Sequence, residues 1–125
     1  MDSPLPEQSA DVLFTDPPYY DAIPYADLSD FFLVWLKRTL PDNRFLRDPF
    51  DDDNPLSPKS QECVWNQSYS VNGTPKDGRF FEQCVSAAFA DGRRILRDDG
   101  IACIVFAHKT TEGWEALLNG LVAGG

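Results

Sequence analysis

Basic side chains are scarce: 11 Lys and Arg stand against 20 Asp and Glu, a formal charge of -9 at pH 7. Phosphate contacts need Lys and Arg and release counterions as they form, so this balance excludes a surface that holds nucleic acid by itself. Cysteine is sparse as well. Cys63, Cys84 and Cys103 are odd in number and scattered, which excludes a self-contained disulfide framework and paired Cys-x-x-Cys metal knuckles. Buried free thiols and no bound metal are the expectation. No apolar run approaches the roughly 20 residues that span a bilayer. The opening Met1-Asp2-Ser3-Pro4 is neither basic nor apolar, so the sequence reads as cytoplasmic, without a membrane partner. What is present, 42% hydrophobic and 25% charged residues in 125, suits one globular core at most.

Asp11-Val12-Leu13-Phe14-Thr15 is a short apolar run that stops at Asp16-Pro17-Pro18. Two prolines cannot donate ladder hydrogen bonds, so the pattern predicts a buried strand that ends abruptly. From Tyr25 to Leu40, Leu28, Phe31, Phe32, Trp35 and Leu36 recur at helical spacing. Asp27 and Asp30 lie early and Lys37 and Arg38 late, as the helix dipole favours. Between Pro41 and Gly78 the periodicity dissolves into prolines, the acidic run Asp51-Asp52-Asp53, and polar residues around Asn66, Ser68, Ser70 and Asn72. Such a stretch predicts a long structureless loop or insertion.

Helical spacing returns at Phe81, Cys84, Val85, Ala88, Phe89, Ile95 and Leu96, with Gly100 as the expected cap. Ile101 to Ala107 is continuously apolar and rich in β-branched residues, as in a strand covered on both faces of a parallel sheet. Thr110 or Thr111 is placed to cap a last helix carrying Trp114, Leu117, Leu118 and Leu121. Trp35 and Trp114, on apolar stripes, are expected in the core. The fold class expected is α/β, a partial doubly wound sheet of parallel strands with flanking helices. With two strands the sheet is incomplete, and apolar faces are left without partners.

Asp16-Pro17-Pro18-Tyr19 directly follows the first strand, and in open α/β sheets ligands bind beyond the carboxyl ends of strands. The tetrapeptide resembles the Asp-Pro-Pro-Tyr signature of the amino-methyltransferases. Its continuation through Tyr20-Asp21, Ile23-Pro24-Tyr25-Ala26-Asp27-Leu28-Ser29-Asp30-Phe31-Phe32 and Trp35-Leu36-Lys37-Arg38 looks like the adenine-specific DNA methylases that contain a zinc ribbon. Arg94-Ile95-Leu96, Asp99-Gly100 and Phe106-Ala107-His108-Lys109 look like later segments of that family.

The resemblance implies a Rossmann-like methyltransferase catalytic domain, of which residues 1–125 are a fragment. It implies S-adenosylmethionine as cofactor, DNA adenine as substrate, and catalysis on Asp16, Pro17 and Tyr19. It also implies that the Gly-rich cofactor turn and the zinc ribbon belong upstream of Asp11. Gly73, Gly78, Gly92 and Gly100 sit in loop or helix contexts of the wrong kind, so cofactor-binding residues remain unassigned.

These residue types suit that chemistry. An exocyclic amino nitrogen is a poor nucleophile because its lone pair is delocalised into the ring. The Asp16 carboxylate and the Pro17 carbonyl can each accept one amino hydrogen, which localises the lone pair and stabilises developing positive charge. Tyr19 offers a stacking face for an extruded base, and Pro18 holds the turn. His108 and Lys109 end the second strand on the same sheet edge and are candidates for touching the base or its backbone, with capping of the strand end as the plainer role. Tyr20 and Tyr25 are candidates for lining the pocket, or for packing.

Rival readings are an ordinary strand-ending turn and the magnesium-holding strand of a phosphate-loop hydrolase. The latter requires a Gly-rich loop ending in Lys and Ser or Thr, which this sequence lacks. The first functional reading is methyl transfer to adenine within a longer chain. The second is a non-catalytic fragment or pseudo-enzyme binding module. Cytosine, RNA and protein are alternative acceptors.

Overall fold

A computed structural model describes residues 3–41, 43, 45–71 and 73–125. Asn72, read above as part of the polar segment, and Met1 and Asp2, read above as the chain's opening, lie outside the described residues, as do Asp42 and Arg44. The order is β1 (Ala10–Thr15), α1 (Tyr25–Thr39), β2 (Asn66–Val71), β3 (Thr74–Lys76), α2 (Gly78–Ile95), β4 (Leu96–Ile104) and α3 (Thr111–Gly124). Strands β1 and β4 form a two-stranded parallel sheet, and β2 and β3 an antiparallel hairpin. The α/β mixture with a parallel pair is as the sequence predicts. No helix among the described residues is long and apolar enough to cross a membrane.

The core lies where α2 packs against α3, and is built from Tyr20, Phe81, Val85, Phe89, Ala116 and Leu117, with Ile104 of β4 packed against it. Helix α2 starts on Asp77, whose carboxylate accepts the Phe80 N–H, and buries the stripe Phe81, Val85, Phe89, Ile95 that its spacing predicts. It meets β1 closely, for a Cβ at Gly92 would stand 2.8 Å from Leu13 Cδ2. Helix α3 is capped by Thr110, whose hydroxyl accepts the Gly113 N–H.

Four expectations are corrected. The segment between Pro41 and Gly78 is not structureless, since it ends in the β2–β3 hairpin. Gly100 does not cap a helix. Helix α2 stops at Ile95 and β4 begins at once, with Ala10 paired to Leu96 and Val12 to Ile101. Between those pairs Asp11 faces the four residues Arg97 to Gly100, an outsized bulge. Gly100 closes it, because a Cβ there would lie 3.0 Å from both the Arg97 and Asp11 carbonyl oxygens. The sheet is covered on one face only: Val12, Phe14 and Ile101 are 61%, 69% and 68% exposed.

Nor are the tryptophans in the core. Trp35 is half exposed beneath the Arg38 guanidinium, and Trp114 is 41% exposed with its Nε1 donating to the His108 carbonyl. Helix α1 buries no residue at all. It is held by polar bonds instead: Asp30 accepts from the Ser57 amide and hydroxyl and pairs with Lys59, and the Tyr69 hydroxyl donates to Asp27.

Candidate functional site

Beyond Thr15 the chain leaves the ladder as Asp16-Pro17-Pro18 and turns twice, with Tyr20 N–H donating to the Pro18 carbonyl and Ala22 N–H to the Tyr19 carbonyl. Tyr20 completes the reversal at φ 50°, a left-handed conformation that a non-glycine residue keeps only when its surroundings enforce it. They do. Tyr20 is 2% exposed, edge-on to Phe81 and His108, with Trp65 tilted against it, and its hydroxyl donates to Glu112 at 3.2 Å. Burial first, then Glu112, raises its phenol pKa to about 12. The main chain is tied down as well, since Trp65 N–H donates to the Tyr20 carbonyl.

Tyr20 therefore anchors the turn that presents the residues before it. Asp16 is exposed, and Pro17, Pro18 and Tyr19 are half-buried. Among the described residues no donor bonds the Pro17 carbonyl, whereas that of Pro18 is taken. Asp16, Pro18 and Tyr19 line a cleft of about 460 Å³ with Tyr25 and Glu62. The Asp16 carboxylate beside the Tyr19 hydroxyl is the first cause that raises the Tyr19 phenol, with slight desolvation adding to it, so at neutral pH Tyr19 is a neutral ring and a proton donor. Phe106, edge-on at 5.4 Å between centroids, holds that ring.

Glu62 had no pattern to announce it. It caps α1, which begins after Pro24 without a side-chain cap, by accepting the Ala26 N–H at 2.8 Å. That bond fixes the irregular segment beside the motif and brings a second carboxylate to the cleft.

His108 is elsewhere employed. Its side chain is 2% exposed, Nδ1 accepts the Thr110 N–H at 3.2 Å, and Nε2 lies 3.0 Å from Asp21 Oδ1. Because Nδ1 accepts, the network assigns the proton to Nε2, which donates to Asp21. A Cβ at Gly113 would come within 2.3 Å of Nδ1, so the α3 glycine makes room for the ring. His108 and Lys109 do not end the strand as expected, since β4 stops at Ile104; His108 links the segment after β4 to the turn after the motif, while Lys109 is exposed.

The sequence-predicted residues accordingly divide: Asp16, Pro18 and Tyr19 share one open cleft, Pro17 lines a separate cavity with Asp16 and Pro18, and Tyr20 and His108 pack behind them. Asp21 and Glu112, which hold the packed group, and Tyr25 and Glu62, which complete the cleft, were signalled by no spacing; only Tyr25 had been weighed as lining. The end of neither parallel strand carries a Gly-rich turn, the chain running into Asp16-Pro17-Pro18 after β1 and Val105-Phe106-Ala107-His108 after β4. No family model, no curated protein and no solved structure matches the chain.

Proposed function

We propose that this chain is the motif-bearing part of a Rossmann-like, S-adenosylmethionine-dependent methyltransferase that modifies the exocyclic amino group of adenine in DNA, working in the cytoplasm within a longer chain or complex. The observation that carries the reading is the Asp16-Pro17-Pro18-Tyr19 turn at the carboxyl end of a parallel strand, with the exposed Asp16 carboxylate beside the Tyr19 ring in one cleft and, among the described residues, no donor on the Pro17 carbonyl.

The methyl donor supplies the electrophilic methyl group. Among the described residues nothing fits the role of holding it, because the parallel-strand ends are Pro-rich or apolar and not Gly-rich; in this reading a further part of the protein binds cofactor and DNA. What these residues do is act on the acceptor. An extruded adenine stacks on Tyr19, its amino group donates to Asp16 Oδ and to the Pro17 carbonyl, and the nitrogen lone pair is freed from the ring. Tyr19, a phenol whose pKa lies above neutral pH and is raised further beside Asp16, adds no negative charge that would oppose DNA.

The test is labelled methyl transfer to DNA by the complete reading frame, followed by nucleoside analysis. Labelled N6-methyladenine is expected, and Asp16→Ala is expected to reduce it by roughly 100-fold or more, the scale of losing one preorganised electrostatic group. A folded protein that binds S-adenosylmethionine yet places no methyl on adenine in DNA overturns the reading. Cytosine, RNA, protein or no acceptor at all would then be left, the last being the non-catalytic module.

A further inference from the structure

Behind the motif lies a second cavity, of about 270 Å³ and mainly apolar, lined by Asp16, Pro17 and Pro18 on one side and by Cys63 and Cys84 on the other. The two thiols come from different elements. Cys84 stands on the second turn of α2, and Cys63 on the irregular chain before β2, with its Sγ 4.0 Å from the Phe81 carbonyl, one turn ahead of Cys84 on the same helix. Lys76 is buried beside them. It is 0% exposed and its Nζ donates to the Lys59 carbonyl at 2.6 Å.

A fully buried ammonium with so few partners is costly unless negative charge is close at hand. Desolvation is the largest influence on Lys76 and lowers its pKa, while Glu62, Cys84 and Cys63 act the other way. The thiols respond to one another and to this cation. Interaction with Cys63 lowers Cys84 against the resistance of burial, with Lys76 assisting. Cys63 is pushed up, first by Cys84 and then by burial, and keeps its proton. The third thiol, Cys103, lies exposed on β4.

We propose that Cys63 and Cys84 form a peroxide-responsive dithiol in the cavity behind Asp16-Pro17-Pro18, with Cys84 as the attacking thiolate and Cys63 as the resolving thiol. The Cys84 thiolate attacks one oxygen of hydrogen peroxide. A sulfur–oxygen bond forms, the oxygen–oxygen bond breaks, hydroxide leaves, and sulfur is oxidised by two electrons to a sulfenic acid while the peroxide is reduced. The Cys63 sulfur then attacks that of Cys84. The sulfur–sulfur bond forms, the sulfur–oxygen bond breaks, and water departs with the Cys63 proton.

Because Cys63 belongs to no helix or strand, its backbone can supply the adjustment that disulfide geometry demands. The bond would tie the irregular segment to α2 across the cavity that backs the motif. This inference is independent of the methyl-transfer reading.

The experiment exposes the reduced, folded chain to hydrogen peroxide, with and without dimedone, and maps the products by peptide mass spectrometry. Expected are a Cys63–Cys84 linked peptide as the main product, loss of two hydrogens from the intact mass, reversal by dithiothreitol, and a dimedone adduct on Cys84 in Cys63→Ser. In urea the preference for this pair should vanish. Oxidation confined to Cys103, or a Cys84 that advances to sulfinic acid in the wild type without linking to Cys63, overturns the proposal. So does a pairing preference that survives unfolding.

Discussion

Asp30 illustrates how single side chains hold this molecule in place of packing. Burial by itself would raise its carboxyl pKa, yet bonds from Lys59 and from the hydroxyl and amide of Ser57 outweigh burial and leave it below the ordinary carboxylate value. A carboxyl depressed in the folded state contributes stability that is present above its unfolded pKa, near 3.9, and lost as pH falls through the lower folded value. Asp30→Asn should therefore cost about 1–3 kcal/mol at pH 7 and flatten the acid limb of a thermal-melt series run from about pH 6 to pH 2. An unchanged acid limb would show that Asp30 is not held as described. At this scale the motif is readable because Asp16 to Tyr19 are contiguous, so four letters carry the chemistry. Glu62, Cys63, Lys76 and Cys84 are not. They meet only through folding, and no spacing in the chain links Glu62 to the Ala26 N–H.

The elements divide in the same way. The stripe of α2 was readable because a helix that packs against another helix and a sheet must repeat its apolar residues every three to four positions. The hairpin was hidden because Asn66–Val71 is mostly polar and Thr74–Lys76 is three residues with a proline inside. Its one local signal is Asn72-Gly73, the dipeptide favoured at tight hairpin turns, and Gly73 adopts φ 80°. Gly100 misled because glycine serves helix caps and bulges alike, and only the pairing of β1 with β4 distinguishes them. The seat of His108 against α3 gives a prediction of its own. Gly113→Ala would drive a Cβ into the imidazole and should cost about 1–3 kcal/mol, the usual scale for overpacking. Chemical denaturation should report it as a lower midpoint.

Over the whole molecule, the outward face of the β1–β4 sheet and the stripe of α1 leave Val12, Phe14, Ile101, Phe31, Phe32 and Trp35 largely in solvent. The sequence anticipated such faces from two strands alone, but not that Trp35 would be among them. Exposed apolar surface of this kind promotes association. The native chain should bind a hydrophobic dye, and Phe14→Ser should reduce both dye binding and concentration-dependent association in size-exclusion chromatography. It should leave folding stability within about 0.5 kcal/mol, since little packing is lost at so exposed a site.

The parallel pairing of Val12 with Ile101 also sets a schedule for synthesis. A ribosome adding about 5 to 20 residues per second makes Val12 roughly 5 to 20 seconds before its partner. For that interval Val12-Leu13-Phe14 is an unpaired apolar strand on a nascent chain, and whatever shields it then, a chaperone or an earlier-made strand, governs how much of the protein reaches the folded state.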